Sequence, residues 1–337
     1  MKKLLIFLFV IGIAGCTETQ KTGDDKQTNS TPSKIQFTDV TKSSGVNFQH
    51  VPTRTENKYL PEIMGGGVAI ADFNKDGSPD ILFVNSGELD KETRPENAKN
   101  RLFINDGKGK FTDKTDEWNL SGIGYGQGVA VGDFDNDGFT DVFLTNFEGK
   151  NQLLKNTGEK FEDVTENVGM TSDKKWATSA GFFDYDNDGD LDLFVVRYVN
   201  FTTANPHKVY RNRMQIYSTP IYFNAEPDQL WRNDGDGKFT DVTEEVGLNK
   251  SGNGLALALG DIDKDGDQDI YIANDSDANF LWINEDGKFK ETAQISGCAY
   301  NEIGKEQGSM GVDFSDVDGN NLLDIVVTNF QEEPTAL

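Results

Sequence analysis

Beyond the first 34 residues the chain alternates repeatedly between short apolar runs and polar, turn-forming stretches. Small-residue apolar segments (GGVAIA, GVAVG, TSAGFF, LALALG, GVDFS) each precede an acidic stretch, and strongly apolar ones (ILFVN, VFLTN, LFVV, IYIAN, IVVTN) follow it. Four or five consecutive apolar residues between turn signals predict strands buried on both faces, and no stretch has the period of a long helix. A third segment occurs in four copies: RLFINDGKGKF, QLLKNTGEKF, QLWRNDGDGKF and FLWINEDGKF. Each predicts a strand, an Asn/Asp-Gly type of turn and a return strand, the return strands starting at Phe111, Phe161, Phe239 and Phe289.

The repeating unit is thus four antiparallel strands. Its acidic stretches begin at Asp72, Asp133, Asp184, Asp261 and Asp316, with spacings of 61, 51, 77 and 55 residues. A four-stranded sheet at this period predicts an all-β fold, a β-propeller of four-stranded blades with about five units present. Gly and Ala in each first strand suit the crowded centre of such a ring. Residues 37–41 (FTDVT) read as a fourth strand preceding any first strand, expected to complete the last blade. Residues 335–337 fall where a third strand of the fifth unit would begin, which predicts a fragment of a longer chain.

The acidic stretches carry the chemistry. DFNKDGSPD, DFDNDGFTD, DYDNDGDLD, DIDKDGDQD and DVDGNNLLD place carboxylates or carboxamides at positions 1, 3, 5 and 9, with Gly or Asn at position 6. Ca²⁺ takes six to eight oxygens, and a short loop folded round the ion supplies them. The expected ligands are Asp72, Asn74, Asp76, Ser78 and Asp80 in loop 1, and Asp133, Asp135, Asp137, Phe139 and Asp141 in loop 2. Loop 3 offers Asp184, Asp186, Asp188, Asp190 and Asp192; loop 4 offers Asp261, Asp263, Asp265, Asp267 and Asp269. Loop 5 offers Asp316, Asp318, Asn320, Leu322 and Asp324. The residue at position 7 gives its backbone carbonyl, position 9 is expected to give both oxygens, and position 6 needs a left-handed backbone. Turn preference alone explains Asp, Asn and Gly in one or two loops. It does not explain 18 acids returning to the same four positions, since neighbouring carboxylates repel without a cation. About five Ca²⁺ ions are expected, the first and last loops being weaker because Asn74 and Asn320 replace an acid.

The formal net charge is -25, with 57 acids against 32 bases, and much of this acidity is assigned to cation ligands. No nucleic-acid partner is expected, because phosphate binding needs a basic face. At the N-terminus Lys2 and Lys3 precede an apolar run over residues 4–13, too short for a stable membrane span, and Ile13-Ala14-Gly15-Cys16 follows. That tetrapeptide resembles a bacterial lipobox, which implies lipidation of Cys16, cleavage before it, and anchoring by several acyl chains. Residues 16–34 read as a flexible tether, and Thr17 favours the outer membrane or cell surface over inner-membrane retention. Cys298 is then unpaired and is read as a packed, quiet thiol.

Together, FTDVT, DFDNDGFTD, QLWRNDGDGKFTDVT and ANDSDANFLW resemble the FG-GAP/VCBS repeats of integrin α propellers. The whole pattern over residues 35–337 is similar to the cartilage acidic protein/UnbV (ASPIC) family. That resemblance implies a seven-bladed propeller with Ca²⁺ in the blade hairpins and a further C-terminal domain not found in this sequence.

The longest spacing holds an insertion at residues 197–228. Within it Arg197, His207, Arg211, Arg213, Tyr217 and Tyr222 are candidates for contacting an anionic glycan or a protein ligand, since Arg and Tyr are enriched at interaction sites. The competing reading is a loop that packs on its own propeller and pairs its Arg with surplus Asp. Enzyme signals are weak: His50 and His207 lie in different units, and no nucleophile triad, Walker loop or zinc spacing is present. The expected function is a non-enzymatic calcium-binding scaffold; a polysaccharide lyase-like enzyme is the alternative.

Overall fold

The computed structural model describes residues 36–337 except 88, 90–97, 121, 123 and 172. Cys16, the signal segment and the tether lie outside the described residues. Four antiparallel sheets succeed one another along the chain, each with its strands in chain order. Blade 1 is β1 (Val68–Ala71), β2 (Asp80–Phe83), β3 (Arg101–Asn105) and β4 (Phe111–Asp113). Blade 2 is β5 (Tyr125–Gly132), β6 (Asp141–Phe147), β7 (Gln152–Asn156) and β8 (Phe161–Asp163). Blade 3 begins with β9 (Ala177–Phe183) and β10 (Asp192–Arg197). The insertion follows, with a hairpin of β11 (Val209–Arg211) and β12 (Met214–Ile216) and the short β13 (Glu226–Pro227). Blade 3 is completed by β14 (Gln229–Asn233) and β15 (Phe239–Asp241); β16 (Ser251–Gly252) pairs with β13. Blade 4 is β17 (Gly254–Gly260), β18 (Asp269–Asp277), β19 (Phe280–Glu285) and β20 (Lys288–Glu291), and β21 (Gln307–Ser315) with β22 (Asp324–Asn329) begins a fifth. The fold is an all-β propeller.

First strands are neighbours, β1 by β5, β5 by β9, β9 by β17 and β17 by β21, so each blade meets the next along its innermost edge. Glycine is required there by sterics. A Cβ on Gly128 would come within 2.5 Å of the Thr178 carbonyl oxygen of the next blade. In blades 2 and 3 the second strand is the most buried, every residue of β6 and β10 being inside, as the continuous apolar runs predicted.

The core is a series of layers between consecutive blades. Leu82, Leu102 and Phe73 of blade 1 meet Val142, Leu154 and Phe161 of blade 2. Phe143 and Leu153 of blade 2 meet Leu193 and Trp231 of blade 3. Phe194, Val196 and Leu230 of blade 3 meet Ile270, Ile272 and Trp282 of blade 4. Because a sheet presents alternate side chains to opposite faces, one strand feeds two layers.

Each fourth strand ends in a turn that docks on the following blade. The amides of Phe161, Phe239 and Phe289 donate to the carbonyls of Trp118, Val168 and Val246, at 2.9, 2.8 and 2.7 Å. Residues 37–45 repeat this turn sequence and form α1 (Thr41–Ser44), closed by left-handed Gly45, on which a Cβ would lie 2.6 Å from the Phe111 carbonyl oxygen. The expected fourth strand over 37–41 is not formed: residues 36–40 carry no strand and Phe37 is 81% exposed. A fourth strand needs a third to pair with, and among the described residues blade 5 has only β21 and β22.

Candidate metal loops and the opposite cap

The acidic loops join the first and second strands of blades 1–5, so all five open at one end of the propeller. Their local design repeats. The amide at position 6 donates to the position 1 carboxylate, as from Gly138 to Asp133 (2.7 Å) and Gly189 to Asp184 (3.0 Å). The amide at position 7 donates to position 5, as from Phe139 to Asp137 and Asp190 to Asp188, both at 2.9 Å. Position 6 is left-handed in every loop, with φ 84° at Gly138 and 65° at Asn321. Position 4 is left-handed too, at Lys75, Asn136, Asn187, Lys264 and Gly319, which the sequence reading missed. Its residue types are too mixed to have signalled it.

Position 9 has a second task. Both oxygens of Asp141 accept backbone amides, from Phe134 (3.1 Å) and Asn156 (2.7 Å), and Asp192 and Asp269 are held in the same way. The fully buried position 9 carboxylate is thus first a latch between loop and third strand. Each oxygen keeps a further lone pair, and one oxygen each of Asp141 and Asp192 lies within 4.8 Å of the Asp133–Asp135 and Asp184–Asp186 oxygens. Burial pushes Asp141 and Asp192 up to about 7 and Asp269 up to about 6, against the opposing pull of those amides.

The Asn on the third strand then links blades. Asn156 Nδ2 donates to Thr140 O of its own loop (3.0 Å) and to Phe73 O of loop 1 (2.9 Å). Asn233 likewise joins Leu191 to Phe134, and Asn284 joins Gln268 to Tyr185. The sequence carried this signal as the Asn shared by RLFIN, QLLKN, QLWRN and FLWIN, where it was read only as part of the turn.

Four loops gather three carboxylates with oxygens within 4.8 Å of one another: Asp133, Asp135 and Asp141; Asp184, Asp186 and Asp192; Asp261, Asp263 and Asp265; Asp316, Asp318 and Asp324. These clusters could hold metal ions. Oxygens Oδ1 of Asp133, Asp135 and Asp261 are buried without a hydrogen-bond partner, a costly arrangement that an all-oxygen cation site resolves. Loop 1 does not gather such a cluster, and there Asn74 Nδ2 donates to Asp76 at 3.0 Å.

The insertion lies between the second and third strands, hence at the other end of the blades. Two of its candidate contact residues are used internally. Arg197 is buried at 3% exposure, ends β10 in the register held by Asn146 and Asn274 in blades 2 and 4, and bonds Asp173 (2.7 Å) and Gln229. Its assignment as a ligand contact is therefore corrected: Asp228, the sequence equivalent of Asn151, accepts its amide at 2.8 Å, and the side chain fills the blade edge. Tyr217 donates to Glu62 at 3.2 Å. Buried Glu62 also accepts from Thr55 Oγ1 (2.5 Å) and from the amides of Thr55 and Tyr59, both at 3.1 Å. Gln215 donates to the Asn57 carbonyl at 2.5 Å, so the hairpin is pinned to residues 55–62. Beneath it Phe147, Trp176, Tyr198 and Phe201 form an aromatic layer with Tyr59 and Leu60. Together these parts cap one end of the propeller. Arg211, Arg213, His207 and Tyr222 remain exposed, His207 stacked on Tyr222 at 4.3 Å, beside exposed Tyr210 and Met214.

His50 bonds the hydroxyl of Ser86 at 2.9 Å, but Ser86 is fully buried and its Oγ also donates to Gly126 O, which leaves no reachable nucleophile. Cys298 lies two residues beyond the α2 (Ala293–Ser296) turn, in the position that Leu120, Met170 and Leu248 fill in other blades. Burial pushes its thiol up to about 11, as befits a packing residue.

A family model described as FG-GAP-like repeat matches residues 72–144, 133–195, 212–272 and 261–327. Cartilage acidic protein 1 of Xenopus tropicalis is 29% identical over 194 residues, 56% of this chain and 27% of that protein. The Homo sapiens protein of the same name is 24% identical over 292 residues, 80% of this chain and 40% of its own length. The chain therefore spans well under half the length of these curated relatives, and the family resemblance read from the motifs is borne out. Among solved structures, Bacillus licheniformis rhamnogalacturonan lyase PL11 matches with TM-score 0.41 and 14% identity, over 79% of this chain and 46% of that one.

Proposed function

Because the chain belongs to the FG-GAP-like repeat family, we propose that it is a calcium-loaded propeller that binds a ligand without transforming it. The observation that carries the calcium reading is the set of buried, unpartnered oxygens on Asp133, Asp135 and Asp261. A hard dication offered only carboxylate, carboxamide and carbonyl oxygen is the ion these loops suit, and loops 2–5 would hold it. Bound there, Ca²⁺ would draw several carboxylates of one loop to one centre and cancel their repulsion.

The ligand-contacting element is the outer part of the cap. Arg211 and Arg213 at the tip of the β11–β12 hairpin, with Lys208, Tyr210 and Tyr222, form a basic and aromatic surface on a chain of net charge -25. An anionic glycan or an acidic protein segment suits that surface. A panel of immobilised acidic polysaccharides in calcium tests the reading. Retention of the wild type, weakened in an Arg211→Ala/Arg213→Ala variant and without new unsaturated ends, is expected; turnover, or indifference to both substitutions, would overturn it. We further propose export and envelope anchoring through Cys16, favouring the outer membrane or cell surface; a fatty-acid analogue should label the wild type and spare Cys16→Ser.

A further inference from the structure

Loops 2 and 4 have the same formula, four Asp at positions 1, 3, 5 and 9 with Gly at 6, yet different side chains approach them. The residue before the linking Asn on the third strand decides this: Ile104, Lys155, Arg232 and Ile283 in blades 1–4. On β7, Lys155 directs its ammonium into loop 2, where it contacts Asp135 Oδ2 and lies 3.1 Å from Asp137 Oδ2. A second ammonium arrives from loop 1, Lys75 Nζ being 3.4 Å from the Asp137 carbonyl oxygen and 3.9 Å from the Phe139 ring centre. In blade 3, Arg232 turns to Asp234 (2.9 Å), and the position 4 side chain reaching loop 3 is the neutral Asn136, 2.8 Å from Asp190. Loop 4 is approached by neutral Asn187, 2.6 Å from Asp267, and Ile283 packs among apolar neighbours.

Resting on the calcium reading above, we propose that Lys155 is a built-in competitor that makes loop 2 bind Ca²⁺ more weakly than loop 4, although both offer the same four carboxylates. An ammonium and a divalent cation compete for the same carboxylate lone pairs, and they repel each other at a few ångströms. Lys155 also neutralises part of loop 2 when no ion is present. Identical motifs thus become unequal sites through the side chains that approach them, Lys155 on the adjacent strand foremost.

The test exchanges that residue. The full chain is stripped of metal and titrated with Ca²⁺ against a chromophoric chelator, and thermal melts in saturating calcium confirm folding of each variant. Lys155→Ile, which copies blades 1 and 4, should tighten one weak site about tenfold without changing the number of ions, the effect of removing a nearby like charge at a protein surface. The converse Ile283→Lys should weaken one tight site by a similar factor. Unchanged affinities in Lys155→Ile, or loss of an ion from it, would overturn the competitor role, the latter showing that Lys155 supports the site. A wild type that binds no Ca²⁺ would instead overturn the calcium reading on which the proposal rests.

Discussion

The two ends of the blades treat buried charge in opposite ways. At the loop end, carboxylates outnumber their donors: Asp133, Asp135 and Asp261 each keep a buried oxygen with no partner, and among the described residues a third-strand lysine enters loop 2 alone. At the cap end, charge is largely matched within the chain, although Arg197 Nε and the Oδ1 atoms of Asn146 and Asn274 are buried there without a partner. Glu62 accepts four hydrogen bonds, Arg197 is matched by Asp173 and Gln229, and Tyr198 donates to Asp275 at 2.5 Å. An excess of oriented carboxylate oxygens is a demand for a cation; charges met by the chain's own donors and acceptors make a structural joint. The difference separates a place where something must bind from a place that merely has to stay folded.

The strongest way to break this comparison is chelation. A ligand bound only by the native state stabilises it by about 2.7 kcal/mol per site at a hundredfold excess over Kd. Several sites lost together should lower the melting temperature by a wide margin, measured by calorimetry with and without a calcium chelator; an unchanged melt contradicts the demand for a cation. A smaller loss is expected from Glu62→Ala, which orphans the donors of Thr55, Tyr59 and Tyr217 and should cost about 2–3 kcal/mol. Its calcium count should stay at the wild-type value while protease reaches the β11–β12 hairpin more readily. Loss of ions from this variant would mean that the two ends are not independent.

The smallest effect concerns Asp228, in the sequence register that Asn151 fills in blade 2. Burial pushes its carboxyl up to about 7, with the Arg197 amide and guanidinium pulling the other way. A folded-state value above the unfolded one means the native state binds the extra proton between about pH 4 and 7. This group's contribution to stability is therefore lost as pH rises through that window. Asp228→Asn should flatten that slope and leave the protein more stable above pH 7, as read from urea midpoints across pH. A slope identical to the wild type would show that the group is already ionised.

Much of the loop end was legible because its constraints are local. Four spaced acids, a left-handed residue and flanking apolar runs lie within one short segment, so strands and loops could be read directly. The joints between blades are not local. Nothing near Asn156 in sequence says that it reaches Phe73, and only comparison of the four internal copies flags it. An Arg among Tyr and His looks like a contact residue, and at Arg197 the competing reading holds, in which the insertion packs on its own propeller and its Arg meets a surplus Asp. The register of Arg197, where blades 2 and 4 have Asn146 and Asn274, was the better guide. The cap depends on pairing residues 55–62 with residues 215–217, a long-range fit with no period to announce it.

The Asn links have a direction. Asn156, Asn233 and Asn284 donate to carbonyls of Phe73, Phe134 and Tyr185, each in the blade made earlier in the chain, and the Phe161, Phe239 and Phe289 amides do the same. During synthesis, the acceptors of these six links are thus in place before their donors are made. A new blade can zip onto a finished surface as its third and fourth strands emerge, without waiting for the ring.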